Sequence, residues 1–248
     1  MNEEAKELEK IFPAIKKELE NNPPTIGLIG VSGVGKSSTI NSLFKTDLLV
    51  SDTVAGTKEF EKTDVELEFN SGVAKNSSVK LRVIDAPGLG EDIKLDPKYL
   101  QMYKDNLGKC DVILWVLAAR NRAIALDQKY LLELKEFHPK IVFGLNQAQL
   151  VEPLPWNETY NIPSEKQAEN IKIIIKDRKE KLSSVLKRDI TLIAYSSRNG
   201  YKLEELFEAL INAIPKERAW IFNDLKGFSY KDYTPKVVLD ELEKRKKK

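Results

Sequence analysis

Eight consecutive residues, Gly30-Val31-Ser32-Gly33-Val34-Gly35-Lys36-Ser37, place glycines, a lysine and a hydroxyl at the spacing G-x-x-x-x-G-K-[ST]. That pattern suits phosphate chemistry. Glycines let the backbone turn its N–H groups inward around phosphate oxygens. A helix beginning at Lys36 aims the positive end of its dipole at the same anion. Lys36 supplies a point charge for the β- and γ-phosphates, and Ser37 a hydroxyl for Mg²⁺. The candidate phosphate-binding set is Gly30, Ser32, Gly33, Val34, Gly35, Lys36, Ser37 and Ser38. A second group, Asp85-Ala86-Pro87-Gly88, follows an apolar run. An acid at the C-terminal end of a strand beside a phosphate loop can hold a Mg²⁺ water, and the Gly88 N–H can meet the γ-phosphate. Alone, Asp-x-x-Gly is ordinary turn chemistry; paired with the phosphate loop it becomes a metal site formed by Ser37 and Asp85.

These residues need strands and helices to hold them. Thr25–Gly30 is apolar without alternation, the pattern of a strand buried on both faces. Similar runs recur at Val79–Ile84, Val112–Ala118, Lys140–Leu145 and Ile190–Tyr195. Helical periodicity lies between them, over Lys36–Phe44, Pro97–Leu107, Asp127–Phe137, Ser164–Lys187 and Lys202–Ile214. This alternation predicts an α/β fold, a three-layer, doubly wound, mostly parallel sheet. Val65–Phe69 alternates instead, as a half-exposed edge strand does, and the polar stretch Asn70–Ser78 reads as a turn to an antiparallel neighbour. Three segments are expected: an N-terminal helical segment over 1–24, a core domain over 25–214, and a C-terminal helical extension over 215–248. Leu8, Ile11, Phe12, Ile15 and Leu19 form the apolar stripe of the first, with Pro13 as a kink.

Composition narrows the class. Lys+Arg and Asp+Glu number 40 and 38, a net charge of +2, which argues against a nucleic-acid coat protein. The longest apolar run, Val112–Ala119, is far short of the roughly 20 residues of a membrane helix, and the acidic start carries no secretory pattern. With Cys110 as the single cysteine, a disulfide framework is excluded and a reduced cytoplasmic setting is expected. The closing run Lys244-Arg245-Lys246-Lys247-Lys248 reads either as a solvated helix end or as a basic anchor for RNA or anionic lipid.

The order of motifs resembles the Era-like GTPases of the translation-factor-related class, from about Thr25 to Ile214. The string Val34-Gly35-Lys36-Ser37-Ser38-Thr39-Ile40-Asn41-Ser42-Leu43 is similar to the YfjP-type branch. Glu152-Pro153, Trp156-Asn157-Glu158, Pro163–Gln167 and Ser196–Tyr201 add to that likeness. Septin, Toc and immunity-associated GTPases share part of it. The resemblance implies a P-loop GTPase fold, GTP or GDP as ligand, Mg²⁺ as cofactor, and Thr57 (with Thr53 as alternative) as the switch threonine that reaches metal and γ-phosphate. Lys36 and Thr57 then belong to the catalytic set.

Where the resemblance implies Asn-Lys-x-Asp for base reading, the chain has Asn146-Gln147-Ala148-Gln149. Asn146 is expected to tie the phosphate loop to the base loop. Gln147 offers a flat amide where a lysine stacks. Gln149 replaces a carboxylate that accepts from two guanine N–H groups, and charge-assisted bonds are roughly twice as strong as neutral ones. Guanine preference is therefore expected to be weakened, with Glu152 as a nearby acid. Ser196-Ser197 stands for Ser-Ala, whose backbone N–H contacts guanine O6 in the resembled family.

Leu89 occupies the position where a glutamine orients water in Ras-like enzymes. Gly33 stands where the cation-activated branch has an asparagine. Slow intrinsic hydrolysis is expected, with help from a partner or from a second copy in a homodimer that offers Arg122 (or Arg120) in trans. An unknown protein or ribosomal client is the other expected partner. A non-catalytic nucleotide-binding scaffold and a hydrolase of relaxed base specificity, toward xanthine or adenine, are the rival readings. His138 and Cys110 read as structural, and Trp156 with Tyr160 either wall the nucleotide pocket or cap the fold.

Overall fold

The computed structural model describes residues 13–14, 16–45, 60–69, 78–89, 96–215, 218 and 225–226. The apolar runs fold as strands β1 (Thr25–Ile29), β2 (Glu61–Phe69), β3 (Ser78–Asp85), β4 (Val112–Ala118), β5 (Ile141–Asn146) and β6 (Leu192–Ala194), joined by a two-residue strand β7 (Leu225–Lys226). The helices are α1 (Lys36–Phe44), α2 (Asp96–Leu107), α3 (Ala125–Glu133), α4 (Glu165–Leu186) and α5 (Leu203–Ala213). Strand order across the sheet is β6-β5-β4-β1-β3-β2-β7. β3, β1, β4, β5 and β6 pair in parallel, and β2 pairs antiparallel with β3 and β7.

The central strand shows why non-alternating runs take this form. Every residue of β4 is buried, because both faces are covered. Ile113, Trp115 and Leu117 join a core with Tyr103 of α2, Leu131 of α3 and Leu182 of α4. Val112, Leu114, Val116 and Ala118 join the opposite core with Ile40 of α1 and Leu210 of α5. Successive side chains point to opposite faces, so one strand feeds two cores. The expected three-layer, mostly parallel α/β architecture is the observed one.

Several local expectations change. Asp127–Phe137 was expected as one helix; α3 ends at Glu133 and a 3₁₀ stretch, Lys135–Lys140, carries the chain into β5. Pro139 lies in that stretch, and a proline cannot donate the bond that an α-helix interior needs. β2 begins at Glu61, earlier than the alternation at Val65 suggested, and β7 pairs with Glu68 and Phe69 at its end. That pairing puts a strand inside the segment expected to be a helical extension. In the N-terminal segment residues 16–21 are helical and Leu19 is buried against the α1–α5 core; Leu8, Ile11, Phe12 and Ile15 lie outside the described residues, as does the basic run 244–248. No helix among the described residues is long and apolar enough to cross a membrane.

A buried polar contact lies in the first of these cores. Trp115 donates its indole N–H to Asp127 Oδ1 at 2.8 Å, and Asp127 is 1 % exposed. Burial pushes the Asp127 carboxyl up to about 6, opposed by that hydrogen bond and by the nearby Arg178 charge. Cys110 packs against Gly27, and burial raises its thiol to about 12. It is a small apolar group rather than a nucleophile.

Candidate functional site

The phosphate loop leaves the C-terminal end of β1 and enters α1, as the glycine spacing requires. Gly30 has φ +153°, and a Cβ there would stand 2.3 Å from the Val116 carbonyl oxygen. Gly35, at φ +89°, begins α1; a Cβ there would meet Asn146 Nδ2 at 2.5 Å. Neither position has room for a side chain. Lys36 is buried, and its Nζ donates to the carbonyls of Gly30 and Val31 at 3.1 and 3.4 Å. Ser32 and Gly33 are exposed at the loop tip, Val34 is buried, and Ser37 and Ser38 are half-buried.

Asp85 ends β3 and is 1 % exposed. β1 and β3 are in parallel register, which brings it beside the start of α1. Ser37 Oγ donates to Asp85 Oδ2 at 2.5 Å. A hydroxyl and a carboxylate thus converge next to the phosphate loop. Both are hard oxygen ligands, and Mg²⁺ takes one or two such protein groups with waters and phosphate oxygens for the rest. The donor set fits Mg²⁺. Thr57, expected as a further ligand, lies outside the described residues together with Thr53. After Asp85 the chain stays buried through Leu89. Leu89 N–H donates to the Gly30 carbonyl at 3.1 Å, and the Tyr103 hydroxyl donates to the Pro87 carbonyl. The loop carrying Gly88 is therefore tied to the phosphate loop on one side and to α2 on the other.

Asn146, at the end of β5, joins three loops. Its Nδ2 donates to the Val34 carbonyl at 2.9 Å and to Ser197 Oγ at 3.1 Å, and its Oδ1 accepts from Ser197 N–H at 3.0 Å. The expected tie between phosphate loop and base loop is present. The same amide holds the Ser196-Ser197 turn. Ser197 N–H is committed to Asn146. Ser196 is fully buried, in a two-way backbone pairing with Tyr201 and with its hydroxyl accepting from Asn199 N–H. The main-chain N–H groups of Ser196 and Ser197 are thus both bonded within the protein. Ser42 Oγ donates to the Ser197 carbonyl at 2.6 Å.

Gln147 takes a left-handed φ of +64°, and its Nε2 donates to the Gly33 carbonyl at 3.0 Å. Its amide thus lies against the phosphate loop. Gln149 is 8 % exposed, and its buried Oε1 has no hydrogen-bond partner among the described residues. Such an orphan costs about 1–3 kcal/mol. The loop around it is held from α4: Gln167 Nε2 donates to the Val151 carbonyl at 2.8 Å and to that of Gln149 at 3.5 Å. Gln167 also closes a capping box with Ser164.

Other singled-out residues sort by position. Glu152 is exposed, and its Oε2 accepts from Leu154 N–H at 3.2 Å; it borders a cavity with Arg120 and Arg122. Arg122 is exposed after β4. Trp156 is buried, donates to Asn161 Oδ1 at 3.1 Å and meets the Tyr201 ring edge-on at 5.0 Å, so it caps the fold, while Tyr160 is exposed. His138 pairs with the Leu131 carbonyl at 2.8 Å, before the start of β5 and away from the phosphate loop. Thr39 had no expected role. It donates to the Gly35 carbonyl at 2.7 Å and shares a 2.8 Å bond with the Tyr195 hydroxyl, which fixes the first turn of α1 to the chain after β6.

Comparison with known proteins gives a consistent set. The family of 50S ribosome-binding GTPases matches residues 25–147. The uncharacterized protein YfjP of Escherichia coli is 30 % identical over 84 % of this chain and 68 % of its own length. The uncharacterized protein YkfA of the same organism is 29 % identical over 81 % of this chain and 65 % of its own. The chain thus spans about two thirds of these relatives. Among solved structures, a dimerisation-deficient mutant of Toc33 from Arabidopsis thaliana superposes with a TM-score of 0.57 at 20 % identity, over 90 % of this chain and 95 % of that one. At that identity the likeness concerns the fold.

Proposed function

This chain belongs to the P-loop GTPases of the YfjP type, and we propose that it is a GTP-binding molecular switch that hydrolyses GTP slowly with Mg²⁺. The observation that carries the reading is the convergence of the Ser37–Asp85 pair with the loop closed by Lys36 and locked by Asn146. Lys36 and the loop N–H groups would hold the β- and γ-phosphates, Ser37, Asp85 and Thr57 the metal, and Gly88 the γ-phosphate side. Bound Mg²⁺ would neutralise charge developing on the phosphate oxygens. Asn146, Gln147, Gln149 and the Ser196–Arg198 turn would surround the base.

Slow turnover follows from what the site lacks. Leu89 is 1 % exposed and carries no group to orient water, and Gly33 adds no side chain at the loop tip. Acceleration then comes from outside the protomer. A homodimer facing across the nucleotides would offer Arg122 to the partner's phosphates, where a cation stabilises the transition state; a protein or ribosomal client is the other source. A cytoplasmic setting, and the division into 1–24, 25–214 and 215–248, are part of the same proposal. The rival, a nucleotide-binding scaffold without hydrolysis, draws on the same Leu89 and Gly33.

Titration with GDP, GTP, ATP and XTP, each with Mg²⁺, followed by phosphate release over hours, tests the reading. Guanine nucleotide binding with slow release is expected. Binding without release selects the scaffold, and no binding of any of the four overturns both.

A further inference from the structure

A cavity of about 390 Å³ lies between the chain after β4, the segment after Gln149 and the first half of α4. It falls in the size range of small-molecule pockets. No group assigned here to the loop, metal or base lines it; Arg122 lies on its rim and concerns only the partner copy. Its walls are two-natured. Val151, Ile173 and Ile174 give apolar surface, and Arg120, Arg122 and Arg178 give three guanidinium groups against one carboxylate, Glu152.

Two of these cations have no partner among the described residues, and the third is paired and built into the wall. Arg120 and Arg122 are exposed and make no hydrogen bond or ion pair among the described residues. Arg178 is built in: its side chain is 5 % exposed, it bonds Asp177 and the Asn121 carbonyl, and its buried Nε has no partner among the described residues. Glu152 already accepts from Leu154 N–H. Guanidinium forks match carboxylate and phosphate oxygens, while the isoleucine wall favours an apolar body. We propose that this cavity is a second ligand site, separate from the phosphate loop, for a small soluble amphipathic anion: a phosphate or carboxylate on a short apolar body.

The test uses the full chain saturated with GDP and Mg²⁺, and hexyl phosphate as the probe in calorimetry. Inorganic phosphate, hexanol and hexyltrimethylammonium are the controls. One saturable site is expected, at least tenfold tighter for hexyl phosphate than for any control. Ile173 is 66 % exposed, so Ile173→Glu keeps the fold while setting a carboxylate at the rim; it should weaken hexyl phosphate at least tenfold, as should Arg120→Ala. Lys36→Ala should leave it unchanged, which separates this site from the nucleotide reading. Binding of hexyl phosphate only to nucleotide-free protein, no saturable binding, or equal affinity in Ile173→Glu and wild type would each overturn the proposal. So would recruitment to phosphatidylglycerol vesicles without hexyl phosphate binding, which would make the arginines a membrane surface.

Discussion

Asn146→Ala removes an amide that is 1 % exposed and makes three hydrogen bonds, two of them to main-chain groups. The Val34 carbonyl and the Ser197 N–H both lose a buried partner; the Ser197 hydroxyl can rotate to another. An orphaned buried group costs about 1–3 kcal/mol, so two main-chain orphans cost on the order of 2–6 kcal/mol. Water entering the vacated space would satisfy part of this, and about 3 kcal/mol is the expected loss. With a urea slope of about 2 kcal/mol per molar, the midpoint should fall by about 1.5 M. Asn146→Asp sharpens the test. It keeps the acceptor for Ser197 N–H but turns a carboxylate toward the Val34 carbonyl, so it should be destabilised as well. Nucleotide binding should fall with stability, because the same amide joins phosphate loop to base loop. Saturating GDP at a hundredfold over its dissociation constant adds about 2.7 kcal/mol to the wild type; the variants should gain far less. Urea denaturation with and without GDP reads both effects. If Asn146→Ala matches the wild type to within about 0.5 kcal/mol and responds equally to GDP, the three-loop lock does not hold the site.

Other expectations follow from the same geometry. Lys36→Ala should abolish measurable Mg–nucleotide binding while circular dichroism shows the fold intact; unchanged affinity in a folded variant would defeat the phosphate-loop assignment. Gln149→Asp should raise the preference for GDP over ADP by about 5- to 150-fold, the equivalent of roughly 1–3 kcal/mol, and a wild type that already discriminates many thousandfold would show that another residue reads the base. Specific hydrolytic activity should rise with protein concentration and fall at least tenfold in Arg122→Ala, and a flat profile unaffected by the substitution returns catalysis to an external activator. Burial raises Asp127 to about 6, above its unfolded value of about 3.9, so the folded state binds the extra proton. Its contribution is fully present below about pH 4 and is lost as pH rises through about 6, by up to about 3 kcal/mol. Asp127→Asn retains an acceptor for Trp115 and should remove that slope from pH-dependent denaturation curves.

Much of this molecule was legible in local sequence. Runs of apolar residues without alternation could only be strands covered on both faces, and five of them, separated by helical patterns, forced a parallel sheet. The phosphate loop was readable because its chemistry is local: eight neighbouring residues hold one anion, and Gly30 and Gly35 report backbone conformations that their own spacing demands. The end of α3 was misplaced because its periodicity continues smoothly to Phe137, while Pro139 acts on the residues before it. What the tertiary structure alone decided are the meetings between distant residues. Ser37 and Asp85 are 48 positions apart and touch because β1 and β3 lie side by side in register. Asn146 reaches Val34 and Ser197 across three loops, and only that contact shows that the Ser197 N–H is bonded to Asn146. Thr39 meets Tyr195 across 156 positions, and Glu152 lines one cavity with Arg120 and Arg122. Composition and spacing constrain which groups a segment carries; which groups meet depends on how the sheet orders its strands, and that order follows from packing both cores at once.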